Sequence, residues 1–571
     1  MKRLTQIATV GVFLLAVVSI AGAQQALQPV VRLGNFTEVS NDLFMHIIGT
    51  VDARYVTMEN RDFEQNVRDR VNARRPNDTV SQATDSDAAW FLNRLGVEAR
   101  YQKNLEIYLL FEHRQFVDGN LIDDRGNQSN PGGPDVFGRA AATENPSFHT
   151  ERYYIRYKFP GTPLKLHVGA DLWNVDQAGI VGDDDPRIAL FADFGNFDAM
   201  AAAVIQYEST RIGLENDNDL IYYTFSAGYN LKPHRFQFDV VYMRDRFAGA
   251  DLRNNPRPIG NPIGYQGQKS DSVLLMASWS GQFGPVRGLF QANGVVGRAK
   301  GGTAGVPGFP TDVSQRAYDI LAGAAVAYAE VDLGIVKPFV AGVVATPDSD
   351  PTDRKLRGFS NLSWQDVSQI TGVSFFEHLD VSTNFAGRDY ACPARLQGVR
   401  DRANSQTTPL NIGSDVLGGE FECSHSVTNV FNQQIGFPSH LGITSAYSNP
   451  GTLVVAPGVK VYPLKGHEVV GFYVYRAMLH TGLIERAFVV GVDDGFNGKI
   501  GKAQVHEVGG YWQWTLNPHF DIRLSGNLGF LAEGFKDIAR LADCNEQQPG
   551  FQSCEGKSTA QKAEIRFRAR F

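Results

Sequence analysis

The chain has 571 residues, a formal net charge of -7 and only four cysteines. Loss of a leader carrying Lys2 and Arg3 takes the charge from -7 to -9, and that acidic balance argues against nucleic acid as a partner. A mature length of roughly 550 residues would ordinarily divide into several soluble domains, but the sequence shows no convincing linker; one large β-barrel, sized by its strand number rather than by a packed core, removes the difficulty.

The N-terminus reads as a secretory signal peptide, residues 1–23. Lys2 and Arg3 form its charged start, residues 7–20 its apolar stretch, and Ala21-Gly22-Ala23 its cleavage site. No later stretch reaches the ~18 uninterrupted apolar residues of a membrane helix. Residues 24–41 are expected as a periplasmic lead-in, and 42–571 as a single transmembrane barrel.

Period-two alternation predicts strands at 43–58, 89–102, 105–117, 149–159, 163–173, 187–194, 197–210, 219–231 and 234–247. Nine more follow at 270–283, 285–299, 314–331, 334–346, 452–463, 466–480, 501–516, 518–533 and 558–571. In the fourth, Tyr153, Ile155 and Tyr157 oppose Arg152, Tyr154, Arg156 and Lys158. In the last, Ile565, Phe567 and Phe571 oppose Glu564, Arg566, Arg568 and Arg570. A soluble sandwich could also end on such a strand.

The connections separate the two readings. Short ones such as Lys103-Asn104, Pro160-Gly161-Thr162, Lys232-Pro233 and Asn517 carry turn residues. They alternate with long polar loops, the pattern of an outer-membrane antiparallel up-and-down barrel with short periplasmic turns and long extracellular loops. The expected fold is therefore all-β, with about 18 strands; the sixth strand is the weakest, and 16 is the fallback. Aromatics near strand ends (Trp90, Tyr101, Tyr157, Phe159, Trp173, Tyr229, Phe283, Trp512 and Trp514) fit interfacial girdles, or ordinary β-propensity.

The polar parity selects the lumen, because a charge facing lipid is costly. Arg54, Arg94, Arg100, Arg114, Arg152, Arg156, Arg235, Arg523, Arg566, Arg568 and Arg570 share it with fewer acids. Such a wall would favour anions, unless its arginines and acids merely pair across neighbouring strands. Loop 347–451 is long enough to plug the pore or to cap it outside. It holds Cys392 and Cys423; with Cys544 and Cys554, nearest-neighbour disulfides are expected in an oxidising compartment. No cofactor is expected. Asp183, Asp184 and Asp185 form an acidic run that reads as a solvated loop tip, with calcium as the weaker alternative.

The strand Pro338-Phe339-Val340-Ala341-Gly342-Val343-Val344-Ala345, the acidic turn Asp348 to Asp353 with Gly358-Phe359, and the stretch His506 to Glu533 resemble the alginate-export family of outer-membrane porins. That resemblance implies an 18-stranded barrel with an arginine-rich lumen that passes a polyanionic polysaccharide outward.

The expected function is a passive outer-membrane porin for small or anionic solutes, possible polysaccharide export included. The alternatives are a sheath barrel holding a periplasmic partner such as a cytochrome, and a barrel enzyme, the least favoured. Ser424-His425 and Ser439-His440 lack a nucleophile motif. The expected partners are outer-membrane lipid, lipopolysaccharide and the permeating solutes, with a homotrimer or a periplasmic partner left open.

Overall fold

The computed structural model describes residues 37–40, 42–59, 86–116, 148–171, 173–178, 182–183, 186–207, 220–245, 269–300, 317–347, 349, 355–357, 451–481, 499–534 and 559–570. The signal peptide, all four cysteines, Asp184, Asp185 and nearly all of loop 347–451 lie outside them.

The first half of the wall is β1 (Leu43–Glu59), β2 (Ser86–Tyr101), β3 (Leu105–Phe116), β4 (Phe148–Lys158), β5 (Leu164–Ala170), β6 (Pro186–Asp193), β7 (Phe197–Tyr207), β8 (Leu220–Leu231) and β9 (His234–Asp245). The second half is β10 (Lys269–Phe283), β11 (Val286–Lys300), β12 (Ala317–Val331), β13 (Val336–Ala345), β14 (Thr452–Val461), β15 (His467–Met478), β16 (Ala503–Asn517), β17 (Phe520–Leu531) and β18 (Thr559–Arg570). Each strand pairs antiparallel with the next, and β1 pairs with β18 from Thr50↔Arg570 to Glu59↔Gln561, which closes an 18-stranded barrel. Closure matters because lipid offers no hydrogen bonds to an open sheet edge.

The weak sixth strand is present as Pro186–Asp193, so the count is 18 and not 16. Two local differences stand out. Residues Thr37–Ser40 of the expected lead-in form a short strand against the start of β1, with Thr37 opposite Met45. The fifth strand stops at Ala170 instead of reaching residue 173. Gly169 is the reason: its φ is +128°, and a side chain there would run into the Tyr153 carbonyl. Only glycine tolerates that combination, and it lets the chain leave the wall.

The two parities separate as the alternation predicts. Ile47, Leu95, Ile107, Ile155, Ile188, Phe225, Phe238, Phe290, Leu321, Val508 and Phe567 face outward and exposed. Asp52, Arg94, Glu98, Glu112, Asp239, Glu507 and Arg566 face inward and are buried. An apolar exterior around a charged interior is the surface of a membrane-spanning barrel. At the short-turn end the exterior carries stacked aromatics. Trp279 and Phe283 lie 5.4 Å apart, and His467 lies 5.4 Å from Trp514. Amphipathic rings in such a belt suit the lipid headgroup level.

Phe225→Arg, in the middle of β8 on the lipid-facing side, is expected to cost about 2–4 kcal/mol. Urea unfolding of the barrel refolded into lipid vesicles measures this; an unchanged midpoint would place that face away from lipid.

Candidate functional site in the barrel interior

The interior has a charged sector, formed by β16–β18 and β1–β6. At the closing seam, Arg566 grips Asp52 with Nε 3.0 Å from both carboxylate oxygens and Nη2 2.5 Å from Oδ2. Arg568 and Arg570 share Asp521 at 2.9 and 2.5 Å. Arg523 donates to Gln513 at 2.6 and 2.9 Å and lies over the Tyr511 ring at 4.7 Å. Arg94 binds Glu112 at 2.5 Å, both side chains almost fully buried. Arg100 binds Glu98 at 2.7 Å. Buried guanidiniums need such partners, since an uncompensated charge is costly.

Asp171, just past Gly169, is the hub of the sector. Arg156 reaches its carboxylate at 2.5 Å, Arg187 at 3.8 Å and Arg152 at 3.9 Å. Arg187 also donates to the Asp171 carbonyl. Arg156 stacks on Tyr154 at 4.1 Å, and Tyr154 stacks flat on Tyr108 at 4.8 Å. Arg156 also meets Glu106 at 3.3 Å, so in this part of the wall three arginines share two carboxylates.

From Asp171 the chain folds inward as a strap. Its described residues run to Ala178, and Val175, Asp176 and Ala178 are buried. Gln237 of β9 donates to the Val175 carbonyl at 2.5 Å. Gln291 of β11 donates to Asp176 at 2.6 Å and accepts the Ala178 N–H at 2.9 Å. The strap thus spans from β5 to β11 across the inner face. Trp173–Asn174 pairs with Gly182–Asp183, which places Asp183 in a small hairpin of this loop.

The remaining wall, β7 to β15, is a different surface. Val204, Tyr222, Val241, Met276, Val295, Val326, Val343, Ala456 and Val474 form a buried apolar layer with strap residues Val175 and Ala178. Apart from Asp239 in mid-β9 and Asp176 of the strap, the described inward ion pairs of this sector gather at the turn end. Arg235 forks onto Asp198 at 2.6 and 2.8 Å. Glu330 binds Lys460 at 2.7 Å, Arg287 at 3.0 Å and the Tyr328 hydroxyl at 2.5 Å. In the turn after β12, hydrogen bonds from Lys337 and from the Gly334 N–H hold the Asp332 carboxyl below its ordinary range. Burial pushes the Tyr462 hydroxyl upward.

Of the arginines read from the sequence, Arg94, Arg100, Arg152, Arg156, Arg235, Arg523, Arg566, Arg568 and Arg570 are placed with acids or a glutamine as given above. The side chains of Arg54 and Arg114 lie outside the described residues; Arg54 is opposite Arg566 in register. Strand parity alone did not point to the strap, to Arg187, Gln237 and Gln291, or to the apolar sector. A sequence signal for the sector exists: residues 320–329 are almost wholly apolar on both parities, as expected of a strand with the apolar exterior on one face and an apolar layer on the other.

No family model matches the sequence, and no curated protein matches it. Among solved structures it is similar to a BenF-like porin from Pseudomonas fluorescens Pf-5, at 8% identity over 94% of this chain and 100% of that one, TM-score 0.44. It is also similar to OccAB1 of Acinetobacter baumannii, at 8% identity over 92% and 96%, TM-score 0.43. A third is the anion-selective porin of Comamonas acidovorans, at 10% identity over 93% and 100%, TM-score 0.35. Likeness at this level says nothing of what the chain carries.

Arg566→Met removes the bidentate partner of the buried Asp52 and is expected to cost about 3–5 kcal/mol, whereas Asp52→Leu with Arg566→Met recovers most of it. Unfolding in lipid vesicles reads both. A double variant as unstable as the single one would contradict the pairing.

Proposed function

We propose that the protein is an outer-membrane channel, not an enzyme, and that it passes small organic anions along the charged sector. The carrying observation is the set of Arg152, Arg156 and Arg187 around Asp171, three guanidiniums to two carboxylates when Glu106 on Arg156 is counted. A passing carboxylate or phosphate would exchange with Asp171 for the same guanidiniums. Many weak, replaceable contacts allow entry without trapping. The strap lies beside this cluster and narrows the interior on the side of β7 to β11. The short turns would face the periplasm and the long loops the outside.

The alginate-type reading, outward passage of a sugar-acid polymer, is a finer form of the same proposal. It rests on the short motifs around β13 and the β16–β17 hairpin. A second reading, a sheath around an occupant, is favoured by the apolar layer of β7 to β15. Barrel interiors that hold only water are usually polar, and this layer suits a packed surface.

Planar-bilayer recording separates the readings. The channel reading expects open-channel current from the purified protein, or from a form lacking residues 357–450. Silence from both would overturn it and favour the sheath. Gln237→Ala with Gln291→Ala removes three strap hydrogen bonds, each worth about 1 kcal/mol net. Longer or larger openings are expected; unchanged current would show that the strap does not gate the path.

A further inference from the structure

The turn after β2 and the adjoining ends of β4 and β5 border a half-open cavity of about 430 Å³ at the short-turn end of the wall. It is lined by Arg100, Lys103, Arg156, Lys158 and Lys165, with Glu106 the one acid. Arg100 and Arg156 are neutralised from behind, by Glu98 and Asp171. Arg156 also takes up Glu106 at 3.3 Å. Among the described residues the three lysines make no ion pair within 4.0 Å; Lys165 rests on the Phe191 ring at 4.7 Å, and Glu106, Asp193 and Asp171 act on it only electrostatically.

Two features show that this concentration of lysines is held in place. Lys158 and Lys165 are direct cross-strand partners, an arrangement in which like charges destabilise a sheet. Lys103 sits in the three-residue connection between β2 and β3, in a turn whose central residues, Gln102 and Lys103, have φ of 56° and 82°. Such turns ordinarily take Asn-Gly, because side chains are strained there. The Lys158 N–H donates to the Asn104 carbonyl at 2.7 Å, which locks that turn beside the lysine pair. Strain and repulsion at one spot mark a place shaped for something other than stability.

We propose that this cavity binds a multivalent oxyanion, a compact solute bearing two or more carboxylate or phosphate groups. Lys103, Lys158 and Lys165 supply the charge, and Phe44 and Leu105 an apolar edge. Lys158 and Lys165 belong to the inward parity, so the ligand comes from the aqueous interior and not from lipid headgroups. The volume suits a small metabolite. The site would give the anion path a holding position at its turn end. In that role it rests on the channel reading; its binding can be measured without current.

Isothermal titration of the full chain in neutral detergent at low salt tests this, with pyrophosphate and citrate as probes and acetate as the monovalent control. Saturable binding of a probe, but not of acetate, is expected, weakening as salt rises. Lys158→Gln with Lys165→Gln is expected to weaken it roughly tenfold or more. Removal of equal charge at distant turns, Lys337→Gln with Lys465→Gln, leaves it unchanged. Lys103→Gly relaxes the strained turn yet also weakens binding, so the proposal survives if the double variant fails to fold. Absent binding, or equal loss in the distant variant, would overturn it. So would displacement of the probe by phosphatidylglycerol nanodiscs and not by neutral ones, which would assign the lysines to lipid. An anion-selective current without probe binding would overturn this site alone.

Discussion

An open sheet edge cannot persist in lipid, and the whole molecule follows from how that edge is removed. β18 returns to β1, and each wall strand then has two hydrogen-bonded neighbours. With no edge left, side-chain parity becomes inside or outside. The seam is also where charge is best locked. Asp52 and Arg566, more than five hundred residues apart, form a bidentate pair across the joined ends. The first and last strands thus carry a polar clasp facing inward and apolar groups such as Val51 and Phe567 facing outward.

Closure leaves an interior with two characters. On one side, guanidiniums are fixed by acids at hydrogen-bond distance, which holds the arginines in place while keeping an excess of positive charge around Asp171. On the other side, valines, alanines and methionines form a layer that the strap partly covers. The strap exists because Gly169 allows a backbone angle other residues resist, and it stays inside because Gln237 and Gln291 satisfy its polar groups. Without those two amides, the backbone at Val175 and Ala178 would lose partners in an apolar setting.

Much of this was legible in the sequence. Alternation in residues 149–159 or 518–533 fixes which groups face lipid. Gly, Pro and Asn in the short connections fix where each hairpin turns, so the strand number follows. The strap was not legible: Asp171 and Trp173 continue the alternation of β5, and only the backbone angle of Gly169 reveals the departure. Parity identified the inward arginines but not their partners, because the pairing of Arg566 with Asp52 depends on rotamers and on the register between distant strands. The apolar sector was hidden by its own composition. Where both parities are apolar, as at residues 320–329, alternation carries no information.

The central claim is that the charged sector forms an anion path. The reversal potential of the purified protein in a planar bilayer, under a tenfold potassium chloride gradient, tests it most directly. The account predicts a potential displaced toward that of chloride. A potential at zero, or displaced toward potassium, would contradict it.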